Sequence, residues 1–186
     1  DMVTMNRYND SRDRVLTNEE YQKLLEKAEL SNLPQLKDII EFAYHTGARR
    51  GEILRMSRNH VDWNRKVITF YDTKNGEDRT IPLSEKVLSI LKKYRFGDRI
   101  FPISEYRIEK HFRIARKRAE ITDFRLHDLR ACFITNAFLS GLSVAEVSAL
   151  SGHKSWSELK RYSRIKPEDL LGKVNNIVSI SKKVNG

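Results

Sequence analysis

The segment from Lys66 to Leu83, KVITFYDTKNGEDRTIPL, constrains the fold more than any other part of the sequence. Two runs rich in β-branched and aromatic residues, VITFY and RTIPL, flank the Asn75–Gly76 pair, which is typical of a tight hairpin turn. On both sides of this segment, apolar residues recur every three or four positions, a spacing that predicts helices. We therefore expect a mainly helical α+β domain that contains one small antiparallel β-sheet.

Capping residues and glycines predict where several helices begin and end. Thr17 and Glu20 have the spacing of a capping box, and Gly47 is expected to end the second helix. A further Ser-x-x-Glu box is expected at Ser155 and Glu158. Other helices are predicted over RRGEILRM, SEKVLSILKKYR, SEYRIEKHFRIARKRAE, HDLRACFITNAFLSG, SVAEVSALSG and, roughly, residues 167–179.

Charge and cysteine content indicate what kind of partner the protein binds and in which compartment it occurs. The 35 Lys and Arg residues exceed the 25 Asp and Glu residues by 10, which favours a polyanionic partner and most plausibly nucleic acid. The one cysteine, Cys132, excludes an internal disulfide, argues against a Cys/His zinc site and fits a reducing, cytoplasmic compartment. No apolar run approaches the length needed to cross a bilayer.

Four short motifs carry the candidate chemistry. They are TGARRGE at 46–52, TKNGEDR at 73–79, LHDLR at 126–130, and SGH at 151–153 followed by Tyr162. Tyr162 lies in a basic stretch, and nearby cations favour the phenolate form of a phenol whose ordinary pKa is about 10. Each motif alone fits an ordinary structural role, and the case for a functional site depends on their occurring together and in this order.

In this order and spacing, the motifs resemble the catalytic domain of the tyrosine recombinases, or phage integrases, from about Val15 to about Lys173. The resemblance implies that Tyr162 is the nucleophile. It places the scissile phosphate among Arg49, Lys74, His127, Arg130 and His153, with Glu52 and Asp128 in supporting positions. Arg50 follows Arg49 directly, but the Thr-Gly-x-Arg spacing favours Arg49.

The chemistry of a phosphodiester explains these residue types. Two arginines can bind the non-bridging oxygens with forked donors, and a hairpin lysine can protonate the leaving 5′ oxygen. His127 could accept the tyrosine proton, and His153 could hydrogen-bond the phosphate. By resemblance the product is a covalent 3′-phosphotyrosyl link, formed without metal or ATP. The sequence agrees in having no Walker loop and no acidic cluster suited to two magnesium ions.

A basic stripe over residues 104–119 is a candidate DNA-binding helix. The alternative is a solvated charged face. The candidate contacts are Arg107, Lys110, Arg113, Arg116 and Lys117.

The resemblance also implies an assembly and a larger protein. We expect residues 1–13 to be a linker from a missing N-terminal DNA-binding domain, 14–166 to form the catalytic domain, and 167–186 to form a C-terminal helix or tail. Family members act as homotetramers on paired sites of double-stranded DNA, and this tail could dock on a neighbouring subunit or simply cover its own domain. Two other functions stay open: a topoisomerase-like nicking and closing enzyme, and a DNA-binding regulator that kept the fold without turnover.

Overall fold

The computed structural model describes residues 14–71, 76–163, 167–172 and 174, with residue 169 described through its backbone only. Within these ranges no helix has both the length and the apolar character needed to cross a bilayer. The α-helices are α1 (Asn18–Glu29), α2 (Leu36–Thr46), α3 (Arg50–Arg55), α4 (Glu85–Leu91), α5 (Glu105–Arg118), α6 (Leu129–Leu139), α7 (Val144–Ser151) and α8 (Trp156–Lys160). Short 3₁₀ turns cover Arg58–His60, Leu126–Asp128 and Pro167–Leu170.

The sheet lies between α3 and α4, as the hairpin pattern predicts. Its three antiparallel strands are β1 (Val61–Asp62), β2 (Val67–Phe70) and β3 (Arg79–Pro82), in that spatial order. β2 pairs with β3 so that Ile68 lies opposite Ile81 and Phe70 opposite Arg79. Strand β1 was not predicted, because two residues are too few to show an alternating pattern. The mainly helical α+β fold is confirmed.

Most helix ends follow the predicted capping chemistry. The Thr17 hydroxyl accepts a hydrogen bond from the Glu20 amide at 3.1 Å, and the Glu20 carboxylate accepts one from the Thr17 amide at 2.9 Å. Gly47 ends α2 in the left-handed conformation, with φ of +64°. Such a backbone favours glycine because a Cβ atom is strained there.

The capping box predicted at Ser155 is wrong. In the part of the chain that the structure describes, Ser155 makes no capping hydrogen bond, and its hydroxyl pairs instead with the Ser157 hydroxyl at 2.5 Å. The hydroxyls of Ser155 and Ser157 thus pair with each other rather than with a helix amide. A capping box that the sequence reading missed forms at Ser143 and Glu146, at the start of α7.

The core is centred on α2 and α6. Leu36, Ile39, Ile40 and Phe42 of α2 are completely buried, in a large cluster that also takes in side chains of α1, α4, α5 and the sheet. A second, smaller cluster joins α6, α7 and α8 through Ala131, Ile134, Ala137, Val147, Leu159 and Tyr162. Helix α6 contributes to both clusters, so Arg130 on α6 and His153 just after α7 are supported by one packed unit.

The two terminal regions are described only in part. The linker predicted over residues 1–13 lies outside the described residues. Of the helix predicted over 167–179, residues 167–172 and 174 are described, and Leu170, Leu171 and Val174 are exposed there.

Candidate active site

Arg49 lies in the turn between α2 and α3 and is tied to Glu52. Its amide donates to Glu52 Oε2 at 2.7 Å, and its Nη1 lies 3.2 Å from Glu52 Oε1. The Arg49 side chain is 18% exposed, whereas that of Glu52 is 2% exposed. The supporting carboxylate is therefore buried while the guanidinium reaches the surface of the site.

The side chain of Arg50 points toward α5 rather than toward Glu52. Its Nη2 lies 2.5 Å from Glu105 and its Nη1 lies 2.5 Å from Glu109, both on α5. Of the two consecutive arginines, Arg49 is the one beside the other candidate site residues.

Arg130 is a buried side chain that joins two helix ends. Its Nη1 donates to the Gly47 carbonyl at 2.7 Å, and its Nη2 donates to the Ser151 carbonyl at 2.6 Å. Gly47 ends α2 and Ser151 is the last residue of α7. Carbonyls at the C-terminal end of a helix lack partners within the helix and carry the negative end of its dipole, which favours a guanidinium.

His153 is held by Arg130 and by a serine. Its Nδ1 lies 3.3 Å from Arg130 Nη2 and 2.8 Å from the Ser151 hydroxyl. Because a guanidinium can only donate, Nδ1 is an acceptor, and the ring proton is on Nε2. A histidine in that tautomer can donate a hydrogen bond to an oxyanion.

Gly152 brings the side chains of Arg49 and His153 to the same turn. It ends α7 with φ of +75°, and a Cβ atom there would lie 3.8 Å from Arg49 Nη1. Arg49, Arg130 and His153 therefore meet around two glycine turns, although Arg49 precedes Arg130 by 81 positions and His153 by 104.

Tyr162 lies just after α8, and its side chain packs in the smaller apolar cluster. The residue is 6% exposed, and the Arg161 guanidinium carbon lies 5.0 Å from the ring centroid. The cluster includes Ala131, the residue that follows Arg130, so the ring belongs to the packed unit that carries the second arginine.

The other predicted residues occupy different settings. His127 is exposed on the 3₁₀ turn before α6, whereas Asp128 is buried and its Oδ2 accepts a hydrogen bond from the Arg125 amide at 2.8 Å. Asp128 therefore holds the turn that presents His127. Lys74 lies outside the described residues. On the described C-terminal side of its hairpin, Glu77 pairs with Lys154 at 3.0 Å.

Arg79 is a site residue that the sequence reading missed. It is 6% exposed, its Nη2 lies 2.5 Å from Glu52 Oε2, and its Nη1 donates to the Leu150 carbonyl. Burial lowers the pKa of Arg79, and Glu52 opposes that shift. Strand alternation could have revealed it, since Arg79 lies two residues before the buried Ile81 and on the same face of β3.

Helix α5 presents the predicted basic stripe on its outer side. Ile108, Phe112 and Ala115 face the core. On the remaining faces Arg116 is half-buried, and the other candidate DNA contacts are exposed: Arg107, Lys110, Arg113 and Lys117. Among the described residues, no group of three or more His, Cys, Asp or Glu side chains is placed to hold a metal ion.

The chain belongs to the phage integrase family, whose model matches residues 14–169. Among curated relatives, the shufflon-specific DNA recombinase of Escherichia coli is 33% identical over 94% of this chain and 46% of its own length. The integrase of Salmonella phage P22 is 26% identical over 92% of this chain and 49% of its own length. The chain thus spans about half the length of these relatives, and the resemblance read from the motifs is confirmed.

Solved structures agree with this family. The catalytic domain of bacteriophage HP1 integrase superposes with a TM-score of 0.73 at 27% identity, covering 87% of this chain and 93% of that one. A lambda integrase dimer bound to a COC′ core site shares the fold, with a TM-score of 0.69 at 24% identity over 82% of this chain and 60% of that one.

Replacing Gly47 by alanine should destabilise the protein at the turn between α2 and α3. A Cβ atom at this position would lie 2.4 Å from Phe133 Cδ1, and φ of +64° adds backbone strain. We expect the free energy of unfolding to fall by about 3 kcal/mol, because overpacking and a strained backbone act together. Urea denaturation measures the change.

Gly141→Ala is the matched control for that substitution. Gly141 has φ of +88°, and within the described ranges nothing lies within 4 Å of its Cβ position. Because only backbone strain opposes this substitution, we expect the free energy of unfolding to fall by about 1 kcal/mol. Equal losses at the two glycines would contradict the steric argument for Gly47.

Proposed function

We propose that this chain is the catalytic part of a site-specific DNA recombinase or integrase, which cleaves and rejoins DNA strands through Tyr162. The observation that carries the proposal is the convergence of Arg49, Arg130 and His153 at two helix-ending turns, where their donors can surround one phosphate. The names of the curated relatives, a DNA recombinase and an integrase, support it.

In the proposed reaction, the Tyr162 oxygen attacks the scissile phosphorus and the bond from phosphorus to the 5′ oxygen breaks. His127 accepts the phenol proton, and Lys74 gives a proton to the departing 5′ oxygen. The products are a 3′-phosphotyrosyl link and a free 5′-hydroxyl. The hydroxyl of a partner strand reverses the same step, so the energy of the phosphodiester is retained without ATP or a metal ion.

The arginines act on the charge that develops at the non-bridging oxygens. Arg130 is held by two carbonyls and Arg49 by one carboxylate, so neither needs to reorganise much when the transition state forms. Donors fixed in advance at such a position stabilise the transition state more than flexible ones. His153, protonated on Nε2, adds a third donor.

The assembly is proposed on the same basis. The protein would act on double-stranded DNA, associated with it in the cytoplasm, and form a homotetramer on paired sites. The exposed Leu170, Leu171 and Val174 support a tail that docks on a neighbouring subunit. Sedimentation of the full-length protein with paired sites measures the number of subunits.

The test of the reaction is a covalent adduct with DNA. A binding site is first selected from a pool of random duplexes, and the full-length protein is then incubated with that site carrying a nick beside the cleavage position. We expect DNA to stay attached to the protein on a denaturing gel. Tyr162→Phe should abolish the adduct, because it removes the nucleophilic oxygen and leaves the ring that packs in the core.

Tyr21→Phe provides the control, since Tyr21 on α1 is as buried as Tyr162 and its hydroxyl makes no hydrogen bond within the described residues. It should form the adduct at the normal rate. An undiminished adduct in Tyr162→Phe would refute the proposal, and binding without any adduct would favour the DNA-binding regulator. Relaxation of any supercoiled plasmid, whatever its sequence, would favour the topoisomerase-like enzyme.

A second prediction separates the two consecutive arginines. Arg49→Lys should slow adduct formation by about 100-fold, because a lysine cannot give forked donors to the phosphate. Arg50→Lys should stay close to normal, since it can keep an ion pair with Glu105 or Glu109 on α5. Single-turnover rates at saturating protein measure both, and a larger loss at Arg50 would reverse the assignment.

The third prediction concerns the stripe on α5. If Arg113 contacts a DNA phosphate, Arg113→Gln should weaken binding and reduce the slope of log affinity against log salt by about one unit. Arg65→Gln, in the exposed turn between β1 and β2, removes the same charge away from α5. Equal effects of the two variants on the slope would assign the stripe to the solvated-face alternative.

A further inference from the structure

Arg79 is a buried cation that the predicted catalytic residues do not include. It is the first residue of β3, five positions after Lys74 in the sequence, and is 6% exposed. Burying a guanidinium has a large desolvation cost unless the charge is paired and hydrogen-bonded. The groups that pair with Arg79 therefore indicate the role of its buried charge.

Its first partner is the carboxylate that also holds Arg49. Glu52 Oε2 lies 2.5 Å from Arg79 Nη2, and Glu52 Oε1 lies 3.2 Å from Arg49 Nη1. The Glu52 side chain is 2% exposed and lies between the two guanidiniums. The shorter contact belongs to Arg79, the more buried of the two arginines.

The charges of this triad have a consequence for phosphate binding. One buried carboxylate with one arginine would be a neutral pair, and Arg49 would then bring little net charge to a phosphate. With Arg79 as the principal partner of Glu52, the triad keeps a net positive charge, which lies on the partly exposed Arg49. Charge interactions in a water-poor pocket are strong, so this difference matters for a dianionic transition state.

Its second partner lies at the end of α7. Arg79 Nη1 donates to the Leu150 carbonyl, one residue before the Ser151 carbonyl that Arg130 binds. A Cβ atom on Gly152 would come within 3.1 Å of Arg79 Cδ. Arg79 therefore packs directly against the turn that leads to His153.

We propose that Arg79 is a positioning residue that neutralises Glu52, so that the charge of Arg49 is available to the scissile phosphate, while it also fixes the turn before His153. The proposal rests on the proposed function, since the phosphate is that of the recombination site. Arg79 itself does not need to touch the DNA.

The main experiment compares adduct formation and DNA binding in Arg79→Met. We expect the single-turnover rate of adduct formation to fall by about 100-fold, as for loss of a donor to the transition state. The dissociation constant for the selected DNA should change by less than about threefold, because other phosphate contacts dominate affinity. Arg65→Met, which removes an exposed arginine, should leave the rate unchanged.

Two rescue variants separate charge balance from simple structural support. In Glu52→Gln/Arg79→Met the unbalanced carboxylate is gone, so the rate should recover to within about tenfold of the unmodified protein. Arg79→Lys keeps the charge beside Glu52 and should also remain within about tenfold. Arg79→Met at the normal rate, or a double variant no faster than Arg79→Met alone, would overturn the proposal.

A second measurement keeps the two proposals distinguishable. If the unmodified protein forms no adduct, the proposed function fails, and binding of millimolar tungstate decides the role of Arg79. This tetrahedral oxyanion should raise the melting temperature of the unmodified protein, raise it much less in Arg79→Met, and raise it again in the double variant. An equal rise in all three would overturn the proposal.

Folding of the variants is checked by circular dichroism. If Arg79→Met does not fold, Arg79→Lys and the double variant carry the test. Rates within about tenfold of normal in both support the charge-balance role, and loss in both refutes it.

Discussion

Two buried arginines bound to the last carbonyls of α7 are the interaction on which the rest of the site depends. Arg130 binds the Ser151 carbonyl and Arg79 binds the Leu150 carbonyl. Arg130 also binds the Gly47 carbonyl at the end of α2, and Arg79 also binds Glu52 in the first turn of α3. Helix ends that are far apart in the sequence are thereby fixed to one another by charged groups that water cannot easily replace.

This arrangement explains why glycines and arginines occur together in the motifs. Gly47 and Gly152 end their helices in the left-handed conformation, which turns carbonyl groups toward the site. The guanidiniums of Arg79 and Arg130 donate to carbonyls at these helix ends. In the proposed reaction the contacts that complete the helix ends also hold Arg130 for the phosphate, so stability and the proposed chemistry share one set of contacts.

The sequence predicted the elements well where local patterns decide them. The capping box at Thr17, the glycine end of α2 and the pairing of β2 with β3 all arise from neighbours in the chain. The family resemblance, which is confirmed, could be read as well because its motifs and their spacing are visible in the linear sequence.

Features that depend on tertiary contacts escaped prediction. The two-residue β1 has no local signal, and Ser155 lost its capping role to a competing hydroxyl. The burial of Arg79 depends on a carboxylate 27 positions away and on the end of α7. The direction of Arg50 is likewise decided by partners on another helix, Glu105 and Glu109 of α5.

The ion pairs of Arg50 link the candidate active site to the helix that carries the basic stripe. They connect α3, whose first turn follows Arg49, to the N-terminal half of α5, which carries the basic stripe. A displacement of α5 against a double helix would pull on the residue adjacent to Arg49. In the proposed complex with DNA, groove binding by α5 and phosphate binding by Arg49 would be mechanically coupled through the side chain of Arg50.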